Sequence, residues 1–345
     1  MHSRIFAVSH YRPDNDLRMK NVLVTGGTGF VGSNLVHAIL REGCSVRILR
    51  RSSSDTRSLN GADVEHLIGD VRDAAAVRRA VQGCDTVFHT AALVSYWSKQ
   101  RSEMLDVNVG GTANVVRACL DAGVGRLVHT SSVAAVGYTS NGSPATEETP
   151  HDWSTETIGY RISKYRAEEE VMRGVRLGLQ AVMVNPTVIM GPRDYHIHGG
   201  RIVRDIHRRR IFYATPGGTS IVDVDDVVQG HVAAARRGRV GERYILAGEN
   251  LSFKEVFRIT AEEVGGLKPL VTLPRPVVRL IAAGVEDISS VFGVTPWATR
   301  ELVSGVGRHR AYSVEKARRE LGYTFRPYRE TVRRTFNWFR EEALL

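Results

Sequence analysis

Three cysteines, Cys44, Cys84 and Cys119, are all that the 345 residues contain. An odd number at these spacings excludes a disulfide framework and a cysteine metal site. We therefore expect reduced, buried thiols and a cytoplasmic protein. No apolar run reaches the roughly 18 residues of a membrane span. The nearest, Val277 to Val291, is broken by Arg279, Glu286 and Asp287. Residues 1–18 lack the apolar core of a signal peptide. They carry Arg12-Pro13-Asp14-Asn15-Asp16 and read as a loose extension ahead of a structural start at Met19. Neither internal repeats nor low-complexity tracts occur, and a hydrophobic share of 42% against 24% charged excludes a disordered chain. The net charge of +10 is concentrated at Arg50-Arg51, Arg204–Arg210 and the C-terminal helix. No nucleic-acid module accompanies it, so a solvated basic surface that also attracts an anionic cofactor is expected, with no nucleic-acid partner. His196 and His198 supply too few ligands for a metal site, and none is expected.

What is present begins with Asn21-Val-Leu-Val-Thr-Gly-Gly-Thr-Gly-Phe-Val-Gly32, a buried strand running into Gly26, Gly29 and Gly32, with an amphipathic run from Ser33 to Arg41 behind. Such spacing lets the backbone turn tightly, approach a pyrophosphate, and aim a helix N-terminus at it. Further strands are expected at Ser45–Leu49, Val64–Ile68, Thr86–Thr90 and Arg126–Thr130, with helices at Ala74–Val81 and Asn108–Ala122. That alternation predicts an α/β fold, a Rossmann-type doubly wound parallel sheet with right-handed crossovers. Its ligand crevice would gather the glycine turn, Arg50-Arg51, Asp70-Val71, Thr90-Ala91-Ala92 and Thr130-Ser131-Ser132. Ser220–Asp226 and Val227–Arg236 read as one more strand and helix of that sheet. Ser252 and Glu255 form a capping box opening a helix to about Glu263. The expected organisation is a cofactor domain over 19–190, rejoined by 220–247. A smaller, mostly helical substrate lobe takes 191–219 and 248–345, with Phe336–Phe339 docking the last helix.

Tyr160 and Lys164 stand four residues apart before the helix-favouring Glu168-Glu169-Glu170, so phenol and ammonium share a helix face. A tyrosine pKa of about 10 makes a poor acid at neutral pH, and a neighbouring cation would lower it. Such a phenol can protonate a carbonyl oxygen while hydride reaches the carbon. Ser132, at the end of the fifth strand, would hydrogen-bond that oxygen; Ser131 and Thr130 are rivals that alternation does not separate. No acid occurs between Ser45 and Ser54, and Arg51 and Ser52 stand where the adenosine ribose belongs. A guanidinium there suits a 2′-phosphate, so NADP(H) is favoured over NAD. Tyr96 and Trp97 are candidates for either a substrate-pocket floor or the core. Pro274 to Pro296 is amphipathic and reads first as a packed helix, second as a lid or membrane contact.

Together these residues resemble the extended short-chain dehydrogenase/reductase superfamily over about residues 19–340. The motifs are Thr25–Gly32, Gly69-Asp70-Val71-Arg72-Asp73, His89–Ala92, Asn108–Thr112, Thr130–Ser132, Tyr160-x-x-x-Lys164 and Asn185-Pro186-Thr187. Asn185–Pro192 and Arg51 are most similar to the dihydroflavonol-4-reductase-like branch. That branch includes 3β-hydroxysteroid dehydrogenase relatives and a group labelled hopanoid-associated sugar epimerases. The resemblance implies Ser132, Tyr160 and Lys164 as catalytic, with Tyr160 and Lys164 also touching the cofactor. It implies cofactor contacts from Gly26, Thr28, Gly29, Phe30, Val31 and Gly32, from Asp70 and Val71 at the adenine, from Thr90, Ala91, Ala92 and Thr130, and from Pro186, Thr187 and Val188. It further implies a homodimer paired through the helices bearing Asn108 and Tyr160. Nucleotide-sugar enzymes of the group carry an arginine just before the valine-aspartate-aspartate stretch, where this chain has Thr219-Ser220-Ile221. Dehydratases place acids after the serine, where Val133 and Ala134 stand. The expected function is NADP(H)-dependent reduction of a largely apolar ketone or aldehyde, or the reverse oxidation. A nucleotide-sugar epimerase or dehydratase is second, and a noncatalytic NADP(H)-binding redox sensor third.

Overall fold

The run Val22-Leu23-Val24 is buried on both sides, as a central parallel strand must be. Val22 and Val24 pack with Leu35, Val36 and Ile39, while Leu23 faces the opposite layer with Val77, Val115 and Cys119. The computed structural model describes residues 19–139, 142–151, 159–211 and 213–345. The expected extension 1–18, and residues 140–141, 152–158 and 212, lie outside the described residues.

The strands are β1 (Asn21–Thr25), β2 (Ser45–Arg50), β3 (Glu65–Ile68), β4 (Thr86–His89), β5 (Arg126–Thr130), β6 (Ala181–Pro186), β7 (Val188–Met190), β8 (Tyr213–Ala214), β9 (Gly218–Asp223), β10 (Arg243–Leu246), β11 (Glu249–Ser252) and β12 (Val271–Thr272). Seven form one parallel sheet in the order β10-β6-β5-β4-β1-β2-β3. This is the doubly wound arrangement, reversing direction between β1 and β4 and so opening a crevice at their C-terminal ends. Helices Phe30–Arg41 and Val224–Arg237 cover one face; Ala74–Val81, Gly111–Ala122 and Gly159–Arg176 cover the other.

Two expectations are corrected. The helix expected over Asn108–Ala122 is continuous with an earlier one, Arg101–Leu105, through a π-helical turn at Asp106–Gly110. The strand expected over Ser220–Asp226 ends at Asp223 and lies outside the main sheet, between β7 and β11 in a separate three-stranded sheet. Asp223 is the reason for the early stop. Its carboxylate accepts the Asp225 N–H at 2.9 Å and caps the helix that begins at Val224. The chain then returns through that helix to β10 at the edge of the main sheet.

A further core joins Met190, Val203, Ile206, Val256, Tyr328 and Phe339. It is built from short helices, the helix Phe253–Val264 opened by the Ser252–Glu255 capping box, and the last helix Tyr328–Glu341, in which Phe339 is buried. Arg326 and Arg334 fasten that last segment to Asp223, Asp225 and Asp226. Among the described residues no helix is long and apolar enough to cross a membrane.

Candidate active site

The turn after β1 explains its glycines. Gly26 has φ of +71°, and a Cβ there would stand 2.7 Å from the Ala91 backbone at the end of β4. A side chain on Gly32 would run into the Gly26 carbonyl and the Thr90 hydroxyl. Gly29 donates to that carbonyl at 2.9 Å. It also precedes a helix with no side-chain cap and no acid in its first turn. Free N–H groups at a positive dipole end, approached by bare backbone, suit an anionic phosphate. A cleft of about 410 Å³ opens there, lined by Gly26, Thr28, Gly29, Arg51, Asp70, Val71, Thr90, Ala91 and Ala92 among others. The residues present therefore fit a dinucleotide.

Several of the remaining expected cofactor contacts do not line this cleft. Phe30 and Val31 form the first helical turn, Val31 packing onto the core. Ser52 is exposed in the turn after β2. Pro186 ends β6, Thr187 is buried with an unpartnered hydroxyl, and Val188 is exposed in β7. Arg50 is engaged with His66 at 2.9 Å, whereas the exposed Arg51 forms no ion pair among the described residues. Asp70 is held by Arg72, which keeps its carboxyl below the ordinary range.

Tyr160 and Lys164 occupy the first turns of the helix Gly159–Arg176 and are both buried. Lys164 Nζ donates to the Thr130 carbonyl at 2.9 Å. Burial pushes the lysine down to about 8, against the pull of the Glu168 carboxylate. Ser132 is near enough to the Tyr160 phenol to favour its ionised form slightly, and it accepts the Ala134 N–H at 3.1 Å. The Thr130 hydroxyl is taken by His231 at 2.9 Å, and Ser131 Oγ is buried without a partner. Of the three hydroxyl candidates, Ser132 alone acts on the ionisation of the phenol among the described residues. The expectation that the lysine would lower the tyrosine is overturned: burial raises Tyr160, outweighing the influence of Ser132, so the phenol keeps its proton at neutral pH.

Of the two roles expected for Tyr96, the structure favours the pocket: it packs against Tyr160, ring centroids 5.6 Å apart, and so walls the site. Two features escaped the sequence reading. Asn108, in the π-helical turn, accepts the Leu93 N–H at 2.7 Å and donates to the Leu93 carbonyl and the Ser163 hydroxyl, both at 2.9 Å. It thereby clamps the chain after β4 to the Tyr160 helix. A π turn at a functional position is a recurrent device, but nothing in the local pattern announces one. His196 and His198, set aside above as metal ligands, line the cofactor cleft.

The family described as NAD dependent epimerase/dehydratase matches residues 22–247. The chain is 34% identical over 325 residues to a putative dihydroflavonol 4-reductase of Synechocystis sp., covering 93% of this chain and 94% of that protein. It is 33% identical over 326 residues to sterol demethylase protein B of Methylococcus capsulatus, covering 94% and 99%. The solved structure of gox2253 superposes with a TM-score of 0.83 at 37% identity, covering 94% of this chain and 99% of that one. The glycine cradle, the sheet order and these similarities converge on one conclusion. The chain belongs to the NAD dependent epimerase/dehydratase family, within the extended short-chain dehydrogenase/reductases, and is an oxidoreductase of that group.

Proposed function

We propose that the protein is an NADP(H)-dependent carbonyl reductase, or the alcohol dehydrogenase of the reverse reaction, acting on a largely apolar ketone or aldehyde. The observation that carries this reading is the buried phenol of Tyr160, one helical turn from the buried Lys164 that is tied to the end of β5 beside Ser132, and kept protonated by its burial. Tyr160 donates its proton to the carbonyl oxygen. Ser132 orients that oxygen and stabilises the charge developing on it. Lys164, fixed by the Thr130 carbonyl, holds positive charge one helical turn from the phenol. A nicotinamide cofactor, when bound, supplies the hydride. Residues 19–190 with 220–247 hold that cofactor, with Arg51 on a 2′-phosphate, and 191–219 with 248–345 form the substrate lobe. The apolar character is supported by Tyr96 against Tyr160, and by relatives whose names mention a dihydroflavonol and a sterol. The working unit is a cytoplasmic homodimer.

Tyr160→Phe tests the mechanism. Turnover should fall about 10²- to 10⁴-fold while NADPH affinity by calorimetry stays unchanged; undiminished turnover ends it. In the same titration, tighter binding of NAD than NADPH would remove the role given to Arg51.

One observation favours a second reading, a nucleotide-sugar epimerase. Arg161 and Arg308 lie 5.2 and 4.6 Å from the Tyr138 ring, and the charge of Arg310 reaches Tyr96. Guanidinium groups near the pocket suit a substrate phosphate. Turnover of a UDP-sugar without net NADPH consumption would favour this reading; NADPH oxidation by a ketone favours the first.

A further inference from the structure

We propose, on the cofactor reading given above, that His196 and His198 donate hydrogen bonds to the phosphates of the bound dinucleotide. The loop 191–200 of the substrate lobe carries both and straps the cofactor in place. The two histidines line the cofactor cleft with Gly26, Thr28 and Gly29. His196 also borders a small recess with Thr28, Phe30 and Asp55, between the glycine turn and the segment after β2. The pyrophosphate of a dinucleotide lies at such a turn, and its adenosine ribose beside the end of such a strand. Both imidazoles are exposed and form no hydrogen bond among the described residues. Asp55 is the carboxylate whose charge meets His196. Arg57 already takes that carboxylate through Nε and Nη2, at 2.9 and 2.7 Å. Two ring donors are thus left to the cleft, and a phosphate oxygen is the acceptor they suit.

The loop is shaped to hold them there. Arg193 and Ile197 have φ of +68° and +52°, left-handed conformations that side chains avoid, a β-branched one most of all. Backbone strain of this kind persists only where the surroundings impose it, and it gathers at ligand clamps. Asp194 imposes part of it. It is fully buried, and its carboxylate accepts the His198 and Gly200 N–H groups, both at 2.9 Å. Arg193 Nη1 donates to Asn34 Oδ1 at 3.1 Å, and Asn34 Nδ2 donates to the Pro192 carbonyl at 3.1 Å. Asn34 lies on the helix that follows the glycine turn, so the loop is pinned to the element that would receive the pyrophosphate. Tyr195 packs edge-on against Trp338, ring centroids 4.9 Å apart, and the Arg57 guanidinium lies 5.0 Å from the same ring. Ile197 packs onto the core beneath the last helix. With Asp194, Tyr195 and Ile197 engaged by the protein, His196 and His198 are the residues left for a ligand. A strap already formed spends no ordering entropy on binding.

Calorimetric titration of the full chain with NADPH and with NADH tests this without reference to turnover. His196→Ala with His198→Ala should weaken NADPH binding about tenfold or more, as loss of two bonds to a charged acceptor requires. Far-UV circular dichroism and the melting temperature should stay unchanged, because both side chains are exposed. A loss confined to NADPH assigns the pair to the 2′-phosphate, and an equal loss for NADH assigns it to the pyrophosphate. A double variant whose affinity for both coenzymes stays within about threefold of wild type overturns the proposal and leaves the cofactor reading standing. Wild-type protein that binds neither coenzyme overturns both.

Discussion

Lys164 Nζ donates to the Thr130 carbonyl at 2.9 Å, tying the Tyr160 helix to the end of β5. Burial lowers the lysine to about 8 from 10.5, so its charge is present below that pH and lost above it. The kcat/KM for carbonyl reduction should therefore be level up to about pH 8 and fall above it. The unfolded chain holds this proton up to about pH 10.5, so it binds more protons than the fold between the two values. Stability should rise through that window. Lys164→Met should abolish both effects, read from pH–rate profiles and from thermal melts. A wild-type profile flat to pH 10 would contradict the assignment.

His89, His129 and His231 predict acid lability. Burial is the main cause that holds all three below the ordinary histidine value of 6.5, His89 at about 3 and His231 at about 4. The unfolded chain takes up protons near pH 6.5 while the fold does not. Stability is thus full above that pH and is lost as pH falls toward 4. With three protons involved, the slope approaches about 4 kcal/mol per pH unit near pH 5. Urea midpoints between pH 5 and 7 measure it, and His231→Gln should remove about one third of the slope.

Asn108→Ala should cost about 2–4 kcal/mol, because it leaves the Leu93 backbone and the Ser163 hydroxyl without their partner. Since the clamp sets the course of the chain leading to Tyr96, KM for the carbonyl substrate should rise along with the loss of stability. Asn108→Asp, which keeps only the acceptor, should fall between. Full activity and an unchanged melting temperature in the alanine variant would sink this role.

Glycines in the turn after β1 should differ in kind from other turn glycines. Gly32→Ala drives a methyl into the Gly26 carbonyl and should weaken cofactor binding at least about a hundredfold, as loss of a preformed phosphate cradle requires. Gly43 has φ of +78° but open space around its Cβ. Gly43→Ala should cost only about 1 kcal/mol of stability with cofactor affinity intact. Calorimetric titration of both variants separates the two cases.

Local chemistry made much of this architecture readable. The strands β1, β4 and β5 are short apolar runs ending in small or polar residues, and the Tyr160–Lys164 spacing needs only a helix to share a face. What could not be read depends on partners distant in sequence. Alternation could not choose among Thr130, Ser131 and Ser132, because the choice rests on His231 occupying the first. The apolar run before Asp223 looked like another strand of the main sheet. Its neighbours β7 and β11 make it otherwise. Burial reversed the expected sign on Tyr160, and burial belongs to the assembled fold. The convergence of Arg161, Arg308 and Arg310 near Tyr138 and Tyr96 joins segments about 150 residues apart, which no local pattern encodes.

Asp223 ends β9, caps the helix returning to the main sheet, and receives Arg326 and Arg334 from the chain's last segment. The two halves of the molecule are thus riveted at a fully buried carboxylate, not strung on a slack tether. Such a joint should resist swinging. Admission and release of ligands must then be the business of short peripheral segments, foremost the stretch between Leu93 and Gln100, and not of a clamshell motion of the halves.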